Sequence, residues 1–442
     1  MTTEIFGAAD LAAVPELQVF NNYPCQVSVN ASEYVKYLPS TPLDFGAVVT
    51  FNIPGTKHMI DFSSILLRVE MSIVDGDTGG DIPNADDHVL NIAPINYPAA
   101  TWINALKIYA RSTLLAHMEN FNMQQYHLCQ MNCSEEAKKG LLRAGLFEVE
   151  EDPLKANTAE STVFTHLRDR FAGSRKVEMI CRLTGGIFEL GRYMCANLPF
   201  RFEFYPENAD VFIISYATDF QNVLFKLHAA ELLVKKVELV DSLALAIENE
   251  ARFSPYVYSF CRIITRRFFI PEGCLETPFN IVSHNLLPTR LVAFLVDSKA
   301  WHGTLEKTPL LASHCNVERI YLRANDNIFP STGTTDSIDF EHDNYVIPYM
   351  RLAQSIGPSG TTGVSGITYA NYPLIACYFL FDLSITQASQ LQLLRTATTQ
   401  LYIKFRKPVQ SGGLMLVCLL EAQTIMTVQP ESATVVIEPA EI

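Results

Sequence analysis

The densest group of metal-ligating side chains in this chain is His127, Cys129 and Cys133, with His117 upstream. Spaced four apart, the two thiols fall on one face of a helix, and thiolate with imidazole is what zinc prefers. Zinc sites usually show a second ligand pair at short spacing, and none is near, so the thiols read as core residues and the imidazole as surface. His314-Cys315 has the composition of a nucleophile and its base. Neighbours on a strand point to opposite faces, so they cannot form that pair. Asp75, Asp77, Asp81, Asp86 and Asp87 gather carboxylates suited to calcium, but without the spaced ligands and closing Glu of a helix-loop-helix site. A solvated hairpin loop is the reading there. The Gly-rich run at 357–366 is not followed by Gly-Lys-Ser/Thr, so it is no phosphate loop. Neither Gly-x-Ser-x-Gly nor His-Glu-x-x-His occurs. A glycosidase would need two carboxylates facing one cleft, which sequence cannot place. The chain is therefore expected to have no catalytic, cofactor-binding or metal-binding residues, to need no cofactor, and not to be an enzyme.

The bulk properties point the same way. A length of 442 residues suits two domains. Apolar content of 48% against 18% charged residues supplies two cores and leaves a surface suited to permanent subunit contacts. The net charge of −14 argues against tight phosphate binding by the surface as a whole. The local basic stretches at 168–176 (RDRFAGSRK) and 262–267 (RIITRR) read as solvated sides of strands or loops, with at most weak contact to nucleic acid. No secretory signal opens the chain, and no apolar run approaches the ~20 residues of a membrane span. Without secretion the ten cysteines are expected reduced, and the sequons at Asn30 and Asn132 carry little meaning.

The elements that would position such residues are mostly strands. Val48 to Ile53, 65–74, 105–110, 177–190 and 198–205 carry β-branched, aromatic or alternating patterns in the first half. In 105–110, Leu106, Ile108 and Ala110 share one face and Lys107 and Tyr109 the other. Residues 114–146 break the pattern: they predict one or two helices, with a start at Ser134 and acidic residues early, basic late. The second half predicts strands at 232–240, 262–270, 290–296, 317–323, 374–383, 400–406 and 413–421, and a helix at 385–396. Trp102 and Trp301 read as core anchors near corresponding strands of the two halves.

Three segments recur in order. Phe51-Asn52-Ile53-Pro54 returns as Phe268-Phe269-Ile270-Pro271, a shift of 268 − 51 = 217. The stretch 104–111 (NALKIYAR) returns at 316–323 (NVERIYLR), a shift of 212, and Phe202-Glu203-Phe204 returns as Ile403-Lys404-Phe405, a shift of 201. Order and spacing predict one domain copied in tandem. The fold class is all-β, two tandem jelly-roll β-sandwiches with small helical insertions. The expected division is an N-terminal arm with a lead-in strand over 1–45, a first jelly roll over 46–218, a second over 219–429 and a mobile tail over 430–442. No Gly/Ser or Pro-rich linker separates the halves, so they are expected to associate rigidly.

Several segments then resemble the double jelly-roll major capsid proteins of Polinton/Maverick-type elements (polintoviruses, adintoviruses), related in fold to adenovirus hexon. Glu135-Glu136-Ala137-Lys138-Lys139 with 141–147 resembles the family's helical insertion. Residues 175–180 with Arg182, Ile187-Phe188 and Arg192-Tyr193 are similar to its VVEMIGRIHADIF…RYL stretch. Phe269-Ile270-Pro271-x-Gly273 and the run from Pro288 to Gly303 are similar to IPAG and LPKRIVIGFVDNDAFNG, and Tyr372-Pro373-Leu374, Phe381-Asp382-Leu383 and 401–406 follow in order. The resemblance spans roughly residues 20–430, while the loops 75–88 and 355–366 have no counterpart in it. It implies a major capsid protein that forms homotrimeric, pseudo-hexameric capsomers of an icosahedral virion around a DNA genome. Its partners would be itself and minor or penton capsid proteins. The alternative is a domesticated cellular β-sandwich binding module.

Overall fold

The computed structural model describes residues 28–82, 91–217, 222–355, 365–383, 396–429 and 434–438. Alternating apolar residues make the strands, and their buried faces make the layers. In Phe200–Pro206, Phe200, Phe202 and Phe204 are buried while Arg201 is exposed. In Ile103–Ala110, Leu106, Ile108 and Ala110 are buried, as the alternation predicts.

Eight principal strands build each half. In the first half they are Val29–Tyr37, Val49–Ile53, Met59–Asp75, Ile103–Ala110, Thr113–Glu119, Val177–Arg182, Phe200–Pro206 and Val223–Leu239. In the second they are Tyr256–Ile270, Glu276–Leu286, Arg290–Asp297, Val317–Ala324, Asn327–Phe329, Phe379–Asp382, Thr396–Phe405 and Leu414–Gln429. Numbered in chain order within each half, both sets pair as two four-stranded antiparallel sheets, 1-8-3-6 and 2-7-4-5. That is the jelly-roll order, found twice. Aromatic rings close each sandwich. Phe62 on one sheet meets Phe200 and Phe202 on the other at 5.1 and 5.9 Å. Phe268 meets Phe279 at 5.2 Å in the second half.

Two of the three sequence echoes are true equivalences. In the first half Ile108 lies opposite Phe202 and Ala110 opposite Phe200. Adding 212 to one strand and 201 to the other gives Ile320 opposite Ile403 and Leu322 opposite Leu401, the pairs found in the second half. The third echo is false. Phe51 lies in the middle of a second strand, whereas Phe268 lies near the end of a first strand.

The division of the chain also needs correction. The expected second half, 219–429, takes in Val223–Leu239, yet that strand pairs with Met59–Asp75 and Val29–Tyr37. It is the eighth strand of the first sandwich. The crossing to the second half is the helix Asp241–Ala251, not residues 218–222. The tail is not wholly loose: Thr434–Glu438 pairs with Leu414–Gln429. The region 114–146 begins as strand Thr113–Glu119 and turns helical at Phe121–Asn132 and Glu135–Lys139. Ser134 is the cap expected, its Oγ accepting from the Ala137 N–H at 3.1 Å. The run 374–383 is strand only over Phe379–Asp382, because Tyr372–Ile375 forms a short helix. The N-terminal arm before residue 28 and the helix at 385–395 lie outside the described residues.

Candidate functional site between the two halves

The most elaborate polar chemistry of the described residues lies where the long connections of the two sandwiches meet. The helix Phe121–Asn132 follows the fifth strand of the first half and carries no charged residue. Its Gln124, Gln125 and His127 are nonetheless almost fully buried. Each must therefore find a partner indoors. Gln124 Nε2 donates to Thr265 Oγ1 of the second half at 3.0 Å. Gln125 binds Thr184 through both ends of its amide. His127 Nδ1 lies 2.8 Å from the Tyr378 hydroxyl, across the seam, with its ring 4.1 Å from that of Phe294. Burial pushes the His127 pKa down to about 3, so the ring is neutral. Its Nε2 has no hydrogen-bond partner.

The next helix, Glu135–Lys139, contributes Lys138. This buried ammonium donates to the Gln130 carbonyl at 2.7 Å and to the Ser365 carbonyl of the second half at 2.5 Å. Burial lowers its pKa to about 8, with the nearby thiols opposing the shift. Further bonds fasten the halves. Ser215 N–H donates to the Leu305 carbonyl at 2.7 Å, Thr308 N–H to Asn157 Oδ1 at 3.1 Å, and Arg192 Nη1 to the Val257 carbonyl at 3.0 Å. Gly303, with φ of 104°, sits so close that a Cβ there would lie 3.0 Å from Asp210 of the first half.

A cavity of about 880 Å³ opens between these connections, lined by Tyr126, Lys138, Glu148 and Phe164 from one half and Leu310 and Ile367 from the other. Its carboxylates are committed to structure. Glu148 takes Arg143 at 2.6 Å and His166 at 3.3 Å. Glu150 accepts from Ser161 Oγ and from Thr162 N–H at the start of the helix Thr162–Phe171. They anchor the connection, and Glu135, also in the lining, pairs with Lys139 at 2.5 Å.

The residues singled out from sequence fall apart as reactive groups. His127 faces the seam and not solvent, a correction caused by the uncharged helix that carries it. Cys129 and Cys133 stand one helical turn apart, but His117 lies on the strand Thr113–Glu119, 3.9 Å from Glu119. Among the described residues no three His, Cys, Asp or Glu converge to hold a metal. His314 Nδ1 accepts from Asn316 N–H at 3.1 Å, and burial raises the neighbouring Cys315 thiol to about 11, so no nucleophile pair forms. Asp75 accepts from Asp77 N–H at 3.1 Å and Thr78 Oγ1 at 2.6 Å, closing its own turn. Asp86 and Asp87 lie outside the described residues. The stretch 262–267 is a seam strand, with Ile263 and Thr265 buried. Arg168 is paired with Asp169 and Asn91. Trp102 and Trp301 are both buried, Trp102 with its Nε1 donating to the Ala99 carbonyl at 3.2 Å. Gln124 and Gln125 were missed as buried residues, and Lys138 as one that reaches across the seam. The signal for the first two was a helix of polar residues without a single charge.

No helix among the described residues is long and apolar enough to cross a membrane. No family model matches the chain. It is 23% identical over 346 residues to an uncharacterized protein of Caenorhabditis elegans, covering 76% of this chain and 79% of that protein. A chain in the structure of the Sputnik virophage superposes with a TM-score of 0.63 at 13% identity, covering 98% of this chain and 95% of the other. VP54 of PBCV-1 gives 0.57 at 10% identity over 96% and 100% of the two chains. The mavirus major capsid protein gives 0.52 at 11% identity over 97% and 95%. The protein thus has the double jelly-roll fold, with small helices added, that those viral chains share.

Proposed function

We propose that this protein is a major capsid protein, a structural subunit and not an enzyme. Three copies form a pseudo-hexameric capsomer, and capsomers tile an icosahedral shell around a DNA genome. The observation that carries this reading is the pair of sandwiches with one strand order, aligned over almost the whole of both chains with the virophage chain. Three chains with two equivalent sandwiches each supply six similar walls, and head-to-tail contacts close such a ring. The resemblance to Polinton-type proteins favours an element of that kind. Minor and penton capsid proteins are the further partners, contact with packaged DNA is weak, and the site of action is the virion. In this reading the domains are a first jelly roll ending near residue 239 and a second beginning near 256.

Native mass by light scattering tests it. The expected species is 3 × 49.5 = 148.5 kDa, or larger shells. A monomer at every concentration would overturn the trimeric capsomer.

A second reading has one observation of its own, the relative in a nematode. It makes the chain a domesticated cellular β-sandwich binding module. Electron microscopy of the expressed protein separates the two, since a binding module builds no shells.

A further inference from the structure

The pair Cys129 and Cys133 has no role in the fold's topology, yet its setting is unlike that of the other thiols. Cys129 lies in the last turn of Phe121–Asn132, buried, and Cys133 is the residue that ends this helix. The Cys133 N–H still donates to the Cys129 carbonyl at 3.1 Å, so the two residues stand one helical turn apart. Helical Cβ atoms at this spacing lie about 5–6 Å apart, somewhat wider than the ~3.5–4.5 Å of a disulfide. Cys133 has already left the helix, with φ of −95° and ψ of 139°. The distance left to close is small, and it falls on a non-helical residue.

The two sulfurs differ in character. Cys133 is partly exposed, whereas Cys129 is 2% exposed. The Cys129 thiol, Lys138 and Arg182 all favour negative charge on Cys133 and lower its pKa to about 7, against the opposing effect of burial. Cys129 is pushed well up by its bond to Cys133 and by burial. One partner is thus a partly exposed thiol with thiolate character near neutrality, and the other is a protonated thiol one helical turn away. By contrast, Cys181 and Cys418 are fully buried thiols raised by burial.

We propose that Cys129 and Cys133 are a site of reversible oxidation, with hydrogen peroxide or a related peroxide as the oxidant. The Cys133 sulfur attacks the peroxide O–O bond, forming a sulfenic acid and releasing one water after proton transfer. The Cys129 sulfur then attacks the sulfenic sulfur and a second water leaves. Two thiols and one peroxide give one disulfide and two waters, with the sulfurs oxidised and the peroxide oxygens reduced. The bond pins the end of the helix holding Gln124 and His127, just ahead of the helix holding Lys138. These three residues reach Thr265, Tyr378 and Ser365 of the second half. Oxidation therefore fastens the connection that forms the seam, a property independent of whether the chain builds a capsid.

The test is peroxide treatment of the folded full-length protein, alkylation, and tryptic mapping. Residues 112–138 form one tryptic peptide whose only cysteines are these two. The expected product is that peptide lighter by about 2 Da, resistant to alkylation and restored by dithiothreitol. C129S should leave Cys133 as a sulfenic acid that dimedone captures, and R182Q, at an exposed position, should slow the reaction more than threefold at pH 7. Full alkylation of both thiols after peroxide would overturn the proposal. So would a disulfide from either cysteine to another part of the chain or to a second copy. Dimedone capture at Cys133 in the unaltered protein without disulfide would overturn the role of Cys129.

Discussion

The two sandwiches share strand order and the register of their inner strands, but the principal helices of their connections between fifth and sixth strands are used in opposite ways. In the first half, the helix Phe121–Asn132 turns inward. It is buried nearly throughout, and its Gln124 and His127 bond to the second half. In the second half the corresponding helix, Val346–Ser355, lies over its own edge strand Phe379–Asp382, with Val346, Ile347 and Met350 exposed. Core strands are held to one solution, because a slip of one residue would turn every apolar side chain outward. The connections are under no such constraint. One helix has been fitted to the neighbouring half, while the other packs on its own sheet and leaves the later part of its connection, with Ser365 and Tyr378, to meet the first half.

The largest effect expected from breaking this comparison lies in the core anchors. Trp102→Ala removes a fully buried indole stacked at 6.5 Å on Phe204 and should cost ~3–5 kcal/mol in urea unfolding. Trp301→Ala, at a short helix where the side chain keeps some exposure, should cost ~1–2 kcal/mol less. Equal losses would mean that the second half is as tightly built around its tryptophan as the first.

Acid provides the second test. The folded pKa of His127 is about 3, below its ordinary value of 6.5, because the charged ring would be buried. Above pH 6.5 the ring is neutral whether folded or unfolded, and its contribution is complete. As pH falls towards 3 only the unfolded chain takes up the proton, so stability falls by up to about 1.4 kcal/mol per pH unit from this residue. His127→Gln should flatten that part of the pH–stability curve. An unchanged slope would show that other groups carry it.

The smallest effect compares the two connections directly. Tyr378→Phe strips His127 of its partner in a dry seam and should cost ~1–3 kcal/mol. Tyr349→Phe removes a bond of 3.1 Å to the Ile367 carbonyl in the outward connection, where the hydroxyl is only partly buried, and should cost ~0.5–1 kcal/mol. The difference between these two variants, read from denaturation midpoints, measures how much the inward connection holds.

Much of this was legible in residues 103–110, 200–206, 317–324 and 396–405, whose alternation gave both the face assignments and the true internal repeat. The echo at Phe51 failed because an aromatic strand ending in Pro is a common pattern that does not encode strand position. The boundary failed for a related reason. Val223–Leu239 is a strand whichever half owns it, and ownership is decided by pairing with residues some 150 positions earlier. The seam was the least legible part. Gln124 and His127 differ from surface residues only in where the helix is placed, and that is a property of the second half.

The helix Asp241–Ala251 carries the chain from one sandwich to the other, which otherwise hold each other by non-covalent contacts, and none of its residues is buried. Phe253, just beyond it, is 86% exposed. A peptide epitope spliced into this helix would be displayed on the outside without disturbing either set of strands. A gene cut there would encode two fragments that recombine through the seam, so the molecule carries its own design for a split reporter.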